Sequence, residues 1–454
     1  IYATEENTAV YGPLTYVDVN DWNGWVTYVG SKGPYADEFA GKTFDDQSKL
    51  DKFLKDYAYG YDVTAGRNSV ATEAVQGGAA GGYVGRMEGG TITSATAEGL
   101  KSVNAFRSSG GFAGEMITGD VAEVGKIKLV DIDILDSLPV LQTFVPVIKN
   151  STVNGYQSGA IIKSQGIAEI DPETKKADPA GLAGGYVGRM IGGQIWGTEG
   201  DECSVTGLRQ VDGTSYAGGY AGKIDPGSAA TVDTASSQGL LNQVLKYLIG
   251  TDGSLAKVLN ATVSTIRYAK VSAWNEYGIV VNAGKDSKAA GGFAGAIQGA
   301  VLGDENETAG LQVNKIRSVT GGEHAGGFFG LADVAAVAEI SGEDKTTILS
   351  LIKTGSIDLL DAFRTYIYNA DVIGSTDGLT VTASKGEKQG SGESIVYTGN
   401  AGGFGGSLLN GSVKGSSVTN LKSVKAPNYT GGFIGHGGKS GTVDADGIGI
   451  DQLL

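Results

Sequence analysis

Short apolar runs of four to seven residues, broken by Gly or polar turns, recur along most of this chain. From Gly81 the text reads GGYVGRM, then GGTITSATAEG, then LKSVNAFRS. From Gly184 it reads GGYVGRMIGGQIWG and then CSVTGLRQVDG, and from Gly402 GGFGGSLLNGSVKG and then SVTNLKSVKA. Runs of that length bounded by turn residues predict strands. Three of them fill about 30 residues, the size of one coil of a three-sided parallel β-helix. A second pattern interrupts the first. Segments 137–149, 237–259 and 346–368 carry longer apolar stretches. In the second, Leu240, Leu241, Val244, Leu245, Leu248 and Ile249 share one side of a 3.6-residue period, as do Leu359, Leu360, Phe363 and Ile367 in the third. These predict amphipathic helical inserts, and 43–57 predicts one short helix of a degenerate insert.

The strand pattern is organised around one motif. Gly-Gly, an aromatic, a small or apolar residue and another Gly begins at Gly81, Gly110, Gly184, Gly218, Gly291, Gly326, Gly402 and Gly431. Successive first glycines are 29, 74, 34, 73, 35, 76 and 29 residues apart, so short and long intervals alternate. Skipping one copy gives 103, 107 and 111 in one series and 108, 108 and 105 in the other, a super-repeat of about 107 residues. Read as a strand, the motif puts Tyr83, Phe112, Tyr186, Tyr220, Phe293, Phe328, Phe404 and Phe433 on one face. Val84, Ala113, Val187, Ala221, Ala294, Phe329, Gly405 and Ile434 fall on the other. A strand apolar on both faces is a buried strand of a parallel sheet. The rings are expected to stack as a ladder, with the inserts packed on the outer side of the motif sheet. Residues 59–66 (YGYDVTAG) mirror 277–284 (YGIVVNAG), which extends the scheme toward the start.

The motif and its continuation, AGGYVGRMEGGTI from Ala80 and AGGYVGRMIGGQI from Ala183, resemble the GLUG-type repeat of large bacterial surface proteins. The resemblance covers roughly residues 60–454 and departs from the common pattern in using Tyr or Phe for Leu and in its inserts. It implies a β-helical adhesin-like protein of a Gram-positive-type surface, although no sortase motif occurs in the chain.

Composition narrows the function. Gly is 75 of 454 residues with Pro only 8, which excludes collagen, and 41% hydrophobic against 19% charged argues against disorder. A net charge of −15 repels phosphate backbones and anionic headgroups, so no nucleic-acid partner is expected. No run of 18 apolar residues is present, so no membrane insertion is expected. The lone Cys203 excludes an intrachain disulfide. The start at Ile1 without a signal pattern and the stop inside a repeat at Leu454 suggest an excerpt of a longer, secreted protein.

Candidate chemistry is sparse. The two histidines, His324 and His436, lie 112 residues apart, which places them about three coils or ~15 Å apart, too far for a shared metal or a relay. Gly77–Gly82 (GGAAGG) superficially resembles a phosphate loop, but no GxxxxGK[ST] follows. Acidic clusters at Asp131, Asp133 and Asp136, at Asp18, Asn20 and Asp21, and at 304–307 (DENE) match no EF-hand spacing. Trp196, Glu199, Asp201 and Glu202 form an irregular patch where acids could converge. Trp22, Trp25, Trp196 and Trp274 with the tyrosines offer sugar-stacking platforms without a defined place, and five Asn-x-Ser/Thr sequons begin at Asn150, Asn260, Asn306, Asn410 and Asn428.

The expectation is therefore a mainly β protein: a right-handed, three-sided parallel β-helix of ten or eleven coils with α-helical inserts every ~107 residues on its outer face. It divides into an N-terminal partial repeat (1–66), super-repeats at 67–183, 184–290 and 291–401, and a partial fourth at 402–454, in one continuous domain. No catalytic, cofactor-binding or metal-ligating residue is assigned and no enzyme activity is expected; calcium at an acidic turn is the one ion left open. The function implied is an extracellular, cell-wall-attached stalk or adhesin that meets a host or environmental glycan or protein. The alternatives are a carbohydrate-active enzyme on the same scaffold and a matrix protein self-associating end to end.

Overall fold

The computed structural model describes residues 60–66, 78–118, 145–167, 179–226, 263–306, 310–334, 364–389 and 396–438, with short stretches at 2–4, 7–10, 169–170 and 177–178. The described chain is mainly β, and four sheets carry it. One coil runs through Ala269–Ala273 and Ile279–Asn282 (sheet I), Ala289–Gly291 (sheet II), Ala294–Gln298 (sheet III) and Ala300–Leu302 (sheet IV). The next strand, Leu311–Gly321, lies on sheet I again. Sheets II and III hold eight strands each and sheet IV seven, every pair parallel, so eight coils stack among the described residues. The expected parallel solenoid is present, with four sheets to a coil and not three sides.

The fourth sheet exists because the motif is not one strand. Strand Ala289–Gly291 ends at the first glycine and Ala294–Gln298 begins after the aromatic, so Gly292 and Phe293 form a corner. A Cβ added to Gly291 would collide with the Ala294 carbonyl oxygen, and one added to Gly292 with the carbonyl of Gly327 in the next coil. The same clash recurs at the first glycine of all eight copies, where a Cβ would meet the carbonyl three residues on. Only glycine lets the backbone approach itself so closely there.

The corner projects its ring into the interior. Phe112, Tyr186, Tyr220, Phe293, Phe328 and Phe404 are fully buried. From Tyr83 to Phe433 successive ring centroids are 4.8, 5.1, 4.7, 4.7, 4.6, 5.0 and 4.7 Å apart, with planes within 9° of parallel. Each contact adds about 0.5–1.5 kcal/mol to the burial of the ring itself. Two of the rings are tyrosines bonded to a buried carbonyl: Tyr186 donates to Ser151 O and Tyr220 to Cys203 O, both at 3.0 Å. Burial holds both phenols well above their ordinary pKa.

Aliphatic ladders complete the core. In sheet IV Ile92, Ile148, Ile195, Ile266, Leu302, Ile367 and Val413 pair rung on rung. In sheet I Val103, Ile162, Val211, Val281, Val319, Val381 and Val424 do the same. Two of the predicted insert segments end in this sheet: Val147–Lys149 and Tyr366–Tyr368 are strands of sheet IV. Ile367, read as a helical position, is a buried rung between two half-buried tyrosines, which is a period of two. The long connections follow Ile117, Asp225 and Asp333, always between sheets III and IV and in every second coil. The other helical positions of the inserts and the 43–57 helix lie outside the described residues.

Sheet I alternates between two forms. One coil carries a bulge with a residue at positive φ, namely Gly99, Gly207, Lys315 or Asn420. The next carries a turn closed by Gly159, Gly278 or Gly378, where Gly159 N donates to Tyr156 O, Gly278 N to Asn275 O and Gly378 N to Ser375 O. Residues 60–66 and 277–284 correspond as expected: Tyr61–Ala65 pairs with the bulged strand Ala95–Ala105 as Ile279–Asn282 does with Leu311–Gly321. Two antiparallel ribbons, Glu169–Ile170 with Ala177–Asp178 and Lys388–Gln389 with Val396–Tyr397, fall between sheets I and II and were not anticipated.

Candidate functional site

The acidic patches do not converge. Asp304 sits 3.3 Å from Arg267, Glu305 pairs with Lys414, and the Asp304 carboxylate accepts from Asn306 N at 2.9 Å. Trp196 donates through Nε1 to Thr265 Oγ1 at 2.9 Å, and Lys149 lies over its ring. Thr198 and Asp201 close a small turn in which Glu199 is exposed. Glu307 and the clusters at Asp131 and Asp18 lie outside the described residues. Among the described residues no group of three or more His, Cys, Asp or Glu is arranged to hold a metal. Of the sequon asparagines, Asn150 and Asn410 occupy left-handed corners, and Asn428 donates to Thr398 O.

Polar chemistry gathers instead in a buried seam between sheets II and III. The residue two before each first glycine forms one ladder: Ala79, Ser108, Leu182, Tyr216, Ala289, His324, Asn400 and Tyr429. The residue five after it forms another: Arg86, Glu115, Arg189, Lys223, Ala296, Leu331, Ser407 and His436. The two ladders face each other. In the early coils Glu115 is 1% exposed, its Oε1 3.0 Å from Arg107 Nε and its Oε2 3.8 Å from Arg86. Arg86 and Arg189 occupy the rungs on either side of it. A buried carboxylate held by two guanidinium groups has its charge compensated where it stands.

In the late coils His324 Nδ1 lies 2.9 Å from Ser407 Oγ, and Asn400 Nδ2 donates to that oxygen at 3.0 Å and to Tyr397 O at 2.8 Å. The Ser407 hydroxyl thus accepts from Asn400 and shares a hydrogen bond with His324 Nδ1. Burial, then the charges of Lys288 and His436, lower the His324 pKa to about 4. The two histidines were expected to be remote. They flank Ser407 because 112 residues span two coils and not three, and because each strand of sheet II packs against sheet III of its own coil and of the following one. Ser407 is fully buried, so the contact is structural: a Ser–His pair that no substrate reaches. This seam was legible only by aligning the copies, when a charged or polar residue stands where others carry Ala or Leu.

Cys203 is likewise buried, and loss of solvent pushes its thiol up to about 11, the opposite of a reactive nucleophile. No family model, curated protein or solved structure matches the chain.

Proposed function

We propose that this chain is the extended, adhesive stalk region of a bacterial cell-surface protein of the GLUG-repeat kind, held outside the cell at the wall, where it meets a glycan or protein ligand. The observation that carries the reading is the division of labour between the two sides of the coil. The interior repeats one ring and the same aliphatic rungs through eight coils, while outward positions vary. Such a scaffold presents surfaces of fixed spacing, and its polar interior groups are engaged with one another. The reading takes the three long connections to be amphipathic helices packed on the outer side, and the solenoid to be right-handed.

Beads coated with the chain should adhere to epithelial cells or mucus, and the chain should give discrete hits on glycan and protein arrays, with and without calcium. Release of reducing ends from a polysaccharide would replace this reading with that of a carbohydrate-active enzyme. Concentration-dependent filaments without ligand hits would replace it with that of a matrix protein.

A further inference from the structure

The outer side of sheet I carries a lattice of charge that the adhesive reading alone does not require. Each bulge is followed by an inward aliphatic, buried in three coils and half-buried at Leu421, and then a cation: Leu100–Lys101, Leu208–Arg209, Ile316–Arg317 and Leu421–Lys422. The cations are 108, 108 and 105 residues apart (209 − 101, 317 − 209, 422 − 317). They therefore stand at one register position in every second coil, about 9.6 Å apart along the axis at ~4.8 Å per coil.

The coils between them place the turn residue at the same register. Tyr156 N donates to Leu100 O, Trp274 N to Leu208 O and Ser375 N to Ile316 O, so these three positions are equivalent. Two are aromatic. Lys101 Nζ lies 5.2 Å from the centre of the Tyr156 ring, and the Arg209 guanidinium 5.5 Å from that of Trp274. Each cation is also packed under a turn glycine: Gly60 over Lys101, Gly159 over Arg209, Gly278 over Arg317 and Gly378 over Lys422. The result is a column reading Lys101, Tyr156, Arg209, Trp274, Arg317, Ser375, Lys422, roughly 29 Å long over six coil steps, in which Lys101, Tyr156 and Trp274 are half-buried and Ser375 is buried. Arg209, Arg317 and Lys422 are exposed and make no ion pair among the described residues. Of the acids in the turns and neighbouring strands, Glu276 is held by Lys315 at 2.6 Å, Asp62 accepts from Ser102, and Asp377 stands exposed in the turn closed by Gly378. On a chain of net charge −15, an ordered row of cations is not general surface solvation.

We propose that this column binds a linear anionic polysaccharide lying along the solenoid axis. Aromatic faces separated by cations suit sugar rings alternating with carboxylate or sulfate groups. The two-coil spacing is close to the repeat of an extended disaccharide, so one anionic group per disaccharide meets one cation per super-repeat. The acidic remainder of the surface repels the polymer elsewhere and confines it to the column. This inference rests on the adhesive-stalk reading and names its ligand class.

Hyaluronan, with one carboxylate per disaccharide, is the probe, and its methyl-esterified form is the neutral control. The full chain should bind hyaluronan in surface plasmon resonance, more weakly as salt is added, and should bind the ester far less. The exposed double substitution Arg209→Gln/Arg317→Gln should weaken binding by roughly tenfold or more, two charge-assisted contacts being removed. Lys285→Gln, an exposed cation away from the column, should leave it unchanged. Binding should also shift Trp274 fluorescence, and thermal melts of the variants should match the parent. Equal binding of the ester, full retention in the double variant, or tighter binding of oligothymidylate would each overturn the proposal. A chain that ignores hyaluronan yet still adheres to cells loses this ligand class and keeps the stalk reading. A chain that binds through the column but cleaves the polymer keeps the site and loses the stalk reading.

Discussion

Acidification should loosen the late coils through His324. The residue is 6% exposed, its Nδ1 is hydrogen-bonded with Ser407 Oγ, and Lys288, Glu323 and His436 are the charged or titratable groups around it. Unfolded, the imidazole titrates near 6.5; folded, it titrates at about 4. Because the folded value is the lower one, the unfolded chain binds the proton first. Stability is fully present above pH 6.5 and is lost as pH falls toward 4. Linkage over those two values gives a loss of about 2 kcal/mol between pH 7 and pH 5, approaching ~3 kcal/mol below pH 4. Other carboxylates titrate in the same window, so the readout is a difference between the parent and His324→Asn, which keeps an acceptor for Ser407 and cannot be protonated. Urea unfolding, together with amide exchange in strands His324–Gly326 and Gly405–Leu409, reads the local loss even if the array does not unfold as one unit. The parent should lose about 2 kcal/mol more than the variant from pH 7 to pH 5. Equal losses would refute the neutral, buried imidazole.

Three further outcomes test the core. Phe293→Leu keeps most of the buried volume but breaks two ring contacts, 4.7 and 4.6 Å, and should cost about 1–3 kcal/mol in urea unfolding; no change would mean that the stack adds nothing to burial. Gly291→Ala puts a methyl against the Ala294 carbonyl and should lower the melting temperature more than any exposed Gly→Ala change, with loss of several kcal/mol typical of strained core positions. Cys203, fully buried with its thiol pushed up to about 11, should resist aromatic disulfide reagents in the native chain and react within the unfolding transition in urea; rapid native labelling would contradict its placement.

The periodicity of the motif made the coil legible, because every turn of a solenoid must place the same residues at the same corner. It did not make the corner itself legible. Alternation of side chains reads Gly291–Gly295 as one strand, and only the close approach of Gly291 to the Ala294 carbonyl reveals that the chain turns there. The proximity of the histidines was missed for two reasons: 112 residues are one super-repeat of two coils and not three, and a count along the axis says nothing of two sheets packed across a seam. Ile367 was misplaced for a related reason: four apolar residues fit a helical period, while the Tyr-Ile-Tyr alternation that makes 366–368 a strand is too short to stand out. Buried polar rungs such as Glu115, Asn400 and Ser407 gave no local signal at all. Their types are ordinary, and their meaning comes from the neighbours that parallel register supplies.

The alternation in sheet I explains why the super-repeat spans two coils and why that matters for the outer surface. A bulge adds a residue within the strand and a turn adds several, and the two forms stack because the turn's first amide bonds to the carbonyl of the bulged coil's buried aliphatic, as Trp274 N does to Leu208 O. Two bulged coils in succession would lack the turn that covers the cation, and two turns would lack the flat strand on which the turn glycine rests. The pairing therefore fixes a two-coil unit, and selection on any one unit's outward residue is repeated at the same spacing in the next. Lys101, Arg209, Arg317 and Lys422 sit at that spacing, whereas Tyr156, Trp274 and Ser375 have diverged. If the column binds a polymer, the conserved partner of the lattice is its charge and the aromatic positions tune which sugar faces it. Trp274→Ala, which removes a half-buried ring from the column, should then weaken hyaluronan binding, whereas Ser375 is fully buried and offers the polymer no surface.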